Sequence, residues 1–289
     1  MRSHLSLGTA QWGSGYGATN KQGTLSDSTV TAIVARARVA GVARVDTHRP
    51  LQLTQGYGNA QLRLAPWARE FLVTTKVFGA RGAPMSIPRQ LHASLSELDV
   101  PSVEVCLIHD WYALSDEEAN GAALAMRDLV ELGLTARIGI SAYDRGDLDR
   151  ALETFPGLTA VQVPVSVLDQ RLLANPPLAL LDDRVRVQAR SVFLQGLLLD
   201  STLSTPLGKH PHVERFHAAC RGMGLEPLVA CISFIKSVPW IDEVVVGVTS
   251  AQELEAISRA WDSPGIEDVE WDSLASFDVA LLDPRRWSC

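Results

Sequence analysis

VEVCLIH, residues 103–109, is an apolar run that ends on a histidine, and ARIGIS, residues 136–141, repeats the form after an amphipathic stretch. A strand buried on both faces reads as such a run, and runs alternating with helical periodicity mark βα units in a parallel sheet. Working outward, the same alternation fills almost the whole chain. Strands are expected at LSLGTA (5–10), ARVDT (43–47), FLVTTK (71–76), AVQVP (160–164), VRVQAR (185–190) and EVVVG (243–247), which with the first two make eight. Between them lie helical stretches such as SDSTVTAIVARARVAG (26–41), where Ser26 or Asp27 caps the first turn and Gly41 ends the helix. SIPRQLHASLSELDV, SDEEANGAALAMRDLVELG and SAQELEAISRAW carry similar signals, with acidic residues in the first turn of several. The pattern predicts an α/β fold, a (β/α)8 TIM barrel forming a single domain over residues 1–289. The loop-like segment LLLDSTLSTPLGKHPH (197–212) is expected to cover the barrel mouth.

Composition narrows the function. With 46% hydrophobic and 20% charged residues the chain can bury a large core. A net charge of −7 and the lack of Lys/Arg runs argue against a nucleic-acid partner. Cys106, Cys220, Cys231 and Cys289 form no CxxC pair and read as reduced thiols. The start lacks the apolar core of a signal peptide, and no run has the length of a membrane span, so a cytoplasmic protein without a membrane partner is expected. Of the seven histidines only His210 and His212 lie close together, without a ligand-type carboxylate cluster, so no metal is expected. No heptad or apolar edge declares an oligomer.

Chemistry in such barrels sits at the C-terminal ends of the strands. Asp46, Lys76 and His109 end the second, third and fourth strands, and burying each charge calls for a partner. A Lys ammonium near the Tyr57 hydroxyl favours the phenolate and lowers the Tyr pKa, while Asp46 holds the Lys charged. A Tyr so tuned donates a proton to a carbonyl oxygen, and the hydride must then come from a cofactor. Trp12, Phe78 and Trp111 follow strand ends and are expected to line an apolar substrate pocket.

With LSLGTAQWG, GVARVDT followed by QGYGNAQLRLA, FLVTTKV, VEVCLIHDW, ARIGISAYD, AVQVPVSVLDQR, ARSVFLQGLLL and IDEVVVGVTSAQELEAI in this order, the chain resembles the aldo-keto reductase superfamily. The resemblance implies an NAD(P)H-dependent reductase of aldehydes or ketones with a catalytic tetrad of Asp46, Tyr57, Lys76 and His109. It also implies that Ser141 and Gln162 hold the nicotinamide carboxamide and that Arg190 packs against the ring. Ser191, Leu194, Gln195 and Gly196 would follow the pyrophosphate, and Gly247, Thr249, Ser250 and Gln252 would lie in the segment that receives an adenosine 2′-phosphate. Ala142 and Ile257 stand where Asn is common, and Glu253 would repel a phosphate, which leaves NADP(H) and NAD(H) both open.

The family writes its acid motif as DTAxxYG, whereas here HRPLQLTQ separates Thr47 from Gly56. Lengthening a surface loop costs little closure entropy. Either the helix start YGNAQ keeps Tyr57 in position while the loop bulges with Pro50 restricting it and Leu51 and Leu53 needing apolar cover, or the shift removes Tyr57 and His48 or water replaces it. Two other readings stay open beside the carbonyl reductase: a Lys76 Schiff-base enzyme and a nucleotide-binding regulatory subunit.

Overall fold

Eight parallel strands close into a barrel in sequence order: β1 (His4–Gly8), β2 (Arg44–Asp46), β3 (Leu72–Val77), β4 (Val103–Ile108), β5 (Thr135–Ser141), β6 (Ala160–Pro164), β7 (Arg186–Arg190) and β8 (Glu243–Gly247). β8 pairs back onto β1, with Gly8 opposite Gly247. This computed structural model describes residues 3–50, 57–80, 85–173, 176–177, 180 and 184–287. The expected strands differ from these by a few residues at their ends. The largest difference is at β1, because Ala10 already begins the helical turn Ala10–Gly13.

The barrel is wrapped by α1 (Asp27–Val39), α2 (Ala60–Leu64), α3 (Ile87–Leu98), α4 (Asp116–Glu131), α5 (Arg145–Thr154), α6 (Pro211–Met223), α7 (Pro227–Lys236) and α8 (Ala251–Asp262). The helices are not distributed one per strand. No α-helix is found between β6 and β7 among the described residues, and both α6 and α7 lie between β7 and β8. Serine caps act where the pattern places them: Ser26 accepts from the Thr29 amide at 3.1 Å, Ser115 forms a capping box with Glu118, and Ser250 accepts from the Glu253 amide at 3.1 Å. Each such cap contributes about 1 kcal/mol. Among the described residues no single helix is long and apolar enough to cross a membrane.

Most of the apolar core lies between barrel and helices. The lumen holds a small apolar cluster, Val105, Leu107 and Ala160, beside buried Ser6, Thr74, Gln188 and Glu243. Gln188 donates to the Thr74 hydroxyl at 2.9 Å, and Arg44 lies 3.5 Å from Glu243, whose carboxyl burial pushes upward in pKa. Strands pack so closely that a side chain at Gly139 would run into the Ala160 carbonyl. This polar lumen supports the strand ends above it, where Asp46 pairs in register with Gly8 and Thr74.

Candidate active site

Asp46 ends β2 with 1% of its surface exposed, and Lys76, near the end of β3, has 2%. The Lys76 ammonium donates to both carboxylate oxygens of Asp46 at 2.7 Å and to the Thr47 carbonyl at 3.3 Å. The Gln162 amide donates to Asp46 at 2.8 Å, and the Tyr57 hydroxyl donates to it at 2.9 Å. One carboxylate thus gathers four donor bonds from β3, β6 and the loop before α2. Burial favours a neutral Lys76, whereas Asp46 opposes that shift and keeps the ammonium paired.

Tyr57 reaches this position despite the long loop because its turn is anchored from the other side. A Cβ at Gly13 would strike the Tyr57 carbonyl and the amides of Asn59 and Ala60, and Gly58, at φ 51°, meets Gly13 in return. Arg63 of α2 then bonds the Trp12 carbonyl, the Leu25 carbonyl at 2.8 Å and Asp27 at 2.7 Å. These contacts set α2 against the helical turn Ala10–Gly13 independently of loop length. Leu51 and Leu53, for which apolar cover was expected, lie outside the described residues, as does Cys289.

The expected lowering of the Tyr57 pKa is corrected: the phenol is pushed well above its ordinary value. Burial is the main cause, and the adjacent Asp46 carboxylate adds to it. Lys76 spends its charge on Asp46, its Nζ lying 5.2 Å from the centre of the Tyr57 ring. His109 follows β4 and packs in a cluster of rings with His48 at 4.8 Å and Phe78 at 5.6 Å between centres. Burial, with Lys76 and Arg190 nearby, lowers the His109 pKa to about 3, and burial likewise takes His48 well below its usual value.

Both imidazoles are therefore neutral in the fold and protonate more readily once the chain unfolds. Their stabilising effect is complete above the unfolded value of about 6.5 and is lost as pH falls below it, at up to about 1.4 kcal/mol per pH unit for each ring. The melting temperature is expected to drop steadily from pH 6.5 to pH 5, and His48→Phe to make that drop shallower. A flat profile over this range would contradict the burial of both rings.

From Asp46 and Tyr57 a cavity of about 420 Å³ runs past Gln162 and Arg190 to Gly247, Thr249 and Glu253. Arg190 ends β7; it donates to the Ala142 carbonyl at 2.9 Å and lies 4.3 Å from the Tyr143 ring centre. Its Nε is buried without a partner among the described residues. Arg285, near the chain's C-terminal end, covers Tyr143 as well, at 3.6 Å. After β7 the backbone turns through positive φ at Ser191 (61°), Leu194 (46°), Gln195 (53°) and Gly196 (93°), a costly local geometry of the kind found at ligand sites. Ser191, Gln195 and Gly196 border the cavity, whereas Leu194 faces the core.

The remaining expected positions divide. Ser141 is buried beside Gln162 in the β5–β6 register and does not border the cavity; Ser250 is occupied as the α8 cap and Gln252 is exposed. Gln162 borders the cavity, but its amide already serves Asp46 and Gln188. Trp12 and Trp111 do not line this cavity as a pocket wall: both are fully buried. Trp111 stacks on Phe155 at 5.8 Å and donates to the Asp147 carbonyl, because burying the large indole area outweighs exposing it at the mouth. Phe78 is half-buried against His48 at 5.1 Å.

A wall that strand-end reasoning overlooked comes from residues 11–22, including Gln11, Tyr16, Asn20 and Lys21. The Ala18 amide bonds the Gln195 carbonyl at 3.1 Å, so this loop meets the β7 loop. Its signal was the polar, glycine-bearing stretch SGYGATNKQG (14–23), which follows the helical turn after β1. Leu199, Asp200 and Ser204 of the 197–212 segment also border the cavity, with Asp200 accepting from Thr202 and Ser204.

The sequence profile of the Aldo/keto reductase family matches residues 4–278. Comparison with curated proteins gives no match. Among solved structures, an aldo-keto reductase from Bacillus halodurans in its holo form superposes with a TM-score of 0.74 at 16% identity, covering 99% of this chain and 96% of that one. A glycerol dehydrogenase from Gluconobacter oxydans superposes with a TM-score of 0.69 at 17% identity, covering 98% and 93%.

Proposed function

The chain belongs to the aldo/keto reductase family, a family of oxidoreductases, and from that premise we propose that it reduces an aldehyde or ketone with Tyr57 as the general acid. The observation that carries this reading is the buried Asp46–Lys76–Tyr57 cluster at one end of a cavity that runs on to the start of α8. Its residues fit a dinucleotide. Arg190 lines the cavity and its buried Nε has no partner among the described residues, and a side chain at Gly247 would collide with Gln11, so bare backbone is retained at that wall. Ser191, Gln195, Gly196 and Arg190 would hold such a cofactor, which supplies the hydride when bound.

Tyr57 keeps its proton through neutral pH and is the group that would hand it to the carbonyl oxygen of a substrate. The phenolate left behind lies near the Lys76 ammonium and regains a proton from solvent. Neutral His109 offers a hydrogen bond that orients the carbonyl. The Schiff-base reading loses support, since Lys76 is 2% exposed and its ammonium donates to Asp46 and Thr47.

For the cofactor, NADH fits better than NADPH. Glu253 accepts from the Thr249 amide at 2.7 Å and the Thr249 hydroxyl at 2.9 Å, so a carboxylate already occupies the helix start where a 2′-phosphate would bind. A unit charge pair about 4 Å apart in water is worth about 1 kcal/mol, and a phosphate monoester carries nearly two charges. Titration of tryptophan fluorescence is expected to give tighter binding of NADH, with Glu253→Gln improving NADPH affinity roughly tenfold. Binding of neither nucleotide would overturn the reductase reading; equal NADPH affinity in both proteins would overturn the role of Glu253.

A further inference from the structure

Arg190 lines the cavity, yet its hydrogen bonds among the described residues go to neutral oxygens, the Ala142 carbonyl at 2.9 Å and the Ser191 hydroxyl at 3.4 Å. One bond of ordinary length leaves a long side chain free to swing about it. The Tyr143 ring restricts that freedom: the Arg190 guanidinium carbon stands 4.3 Å from its centre, within the range of a cation–π contact. Arg285, in the turn Pro284–Arg286, stands 3.6 Å from the same centre and 4.3 Å from the centre of the Tyr112 ring. Two guanidinium groups so close to one ring centre would collide on a single face, so the ring lies between them.

The stack is braced from outside. The Tyr143 amide donates to the Asp147 carboxylate at 2.9 Å, and the Tyr143 carbonyl accepts from Arg171 at 3.4 Å. Arg285 is forked onto the two carboxylate oxygens of Asp283 at 2.9 and 2.6 Å, and Asp283 is buried. Tyr112 meets the Tyr143 ring edge-on, 5.3 Å between centres. Contacts therefore run from the C-terminal segment to Tyr143, and from Tyr143 to a cation in the cavity wall.

We propose that Tyr143 is a positioning residue: with Arg285 on its far face, it holds the Arg190 guanidinium in place at the cavity wall, so that the C-terminal segment sets nucleotide affinity. The proposal rests on the reading above in which Arg190 helps hold the cofactor. An arginine that is already fixed loses less freedom when a ligand arrives, which raises affinity without any new contact. A ring face serves this purpose where a carboxylate would not. It attracts the guanidinium yet carries no charge of its own, and so leaves the positive charge available to an anionic or electron-rich group of the ligand.

The test titrates NADH into the wild type, Tyr143→Leu, Tyr143→Phe, Arg285→Ala and Arg190→Leu, and into Arg190→Leu combined with Tyr143→Leu or with Arg285→Ala. Tyr143→Leu is expected to weaken binding about tenfold and Arg285→Ala about threefold, the size of contacts of this kind, while Tyr143→Phe, which keeps the ring, stays within about twofold of the wild type. In the Arg190→Leu background neither change is expected to weaken binding further, whereas a merely structural role would weaken it in both backgrounds. Arg285→Ala removes a partly exposed side chain and keeps the test open should Tyr143→Leu fail to fold. In parallel, ¹⁵N-arginine spectra of the nucleotide-free protein are expected to show the Arg190 Nε–H resonance, assigned by its loss in Arg190→Leu, displaced by the ring current, and to show that displacement kept in Tyr143→Phe and lost in Tyr143→Leu. Wild-type affinity in Tyr143→Leu or Arg285→Ala, additive losses with Arg190→Leu, Tyr143→Phe as weak as Tyr143→Leu, or an Arg190 resonance indifferent to the ring would overturn the proposal. Should the wild type bind no NADH, the cofactor reading fails, and the arginine spectra still decide whether Tyr143 holds Arg190.

Discussion

Tyr57→Phe is expected to lower kcat by about 100- to 10,000-fold, the range over which a positioned general acid acts, while nucleotide affinity stays within about twofold. The substitution removes one hydroxyl and keeps the ring that packs beside His48. It also frees Asp46 of one of its four donor bonds, leaving both from Lys76 and the one from Gln162. The carboxylate remains paired, so the loss registers in turnover more than in folding. Steady-state kinetics beside a fluorescence titration separate the two effects. Turnover equal to that of the wild type, with nucleotide bound, would remove Tyr57 from the chemistry.

Lys76→Met carries the largest expected effect on stability. It leaves the Asp46 carboxylate buried without its cation, and breaking a buried pair from one side typically costs about 3–5 kcal/mol. That is a large share of the roughly 5–15 kcal/mol by which such domains are stable. The double change Lys76→Met with Asp46→Asn is expected to recover much of the loss, because no charge is then buried. Urea unfolding of the wild type, the two single variants and the double variant measures the coupling. In Lys76→Met the stranded carboxyl has a raised pKa, so its deficit shrinks as pH falls through that value and grows above it. Additive losses in the double variant would mean that the pair is not coupled as the 2.7 Å contacts require.

Strands were legible because each is buried on both faces and so reads as an unbroken apolar run, with turn and cap residues between. Strand-end polarity likewise singled out Asp46 and Lys76, which the barrel brings into contact. Loop contributions were less legible. The wall formed by residues 11–22 has no apolar period to announce it, and its position depends on the Ala18–Gln195 contact across the barrel mouth. Trp12 and Trp111 follow strand ends as an open pocket wall would, but whether a helix covers a ring is not written in its neighbours along the chain.

Sequence by itself determined the barrel, its eight strands and the strand-end residues Asp46, Lys76 and His109, since these follow from local periodicity and from the rule that strand ends carry the chemistry, while Tyr57 joined them through the resemblance to the aldo-keto reductases. Tertiary structure alone decided three further matters. Tyr57 bonds Asp46 across the long loop because the bare backbones of Gly13 and Gly58 dock against each other. Its pKa moves up because burial and the Asp46 carboxylate act on the phenol directly, while the Lys76 charge is already paired. His48 is enclosed because Tyr57, Phe78 and His109 converge on it from three separate segments. Each of these depends on desolvation and close contact between residues far apart in the chain, quantities that exist only once the barrel has closed.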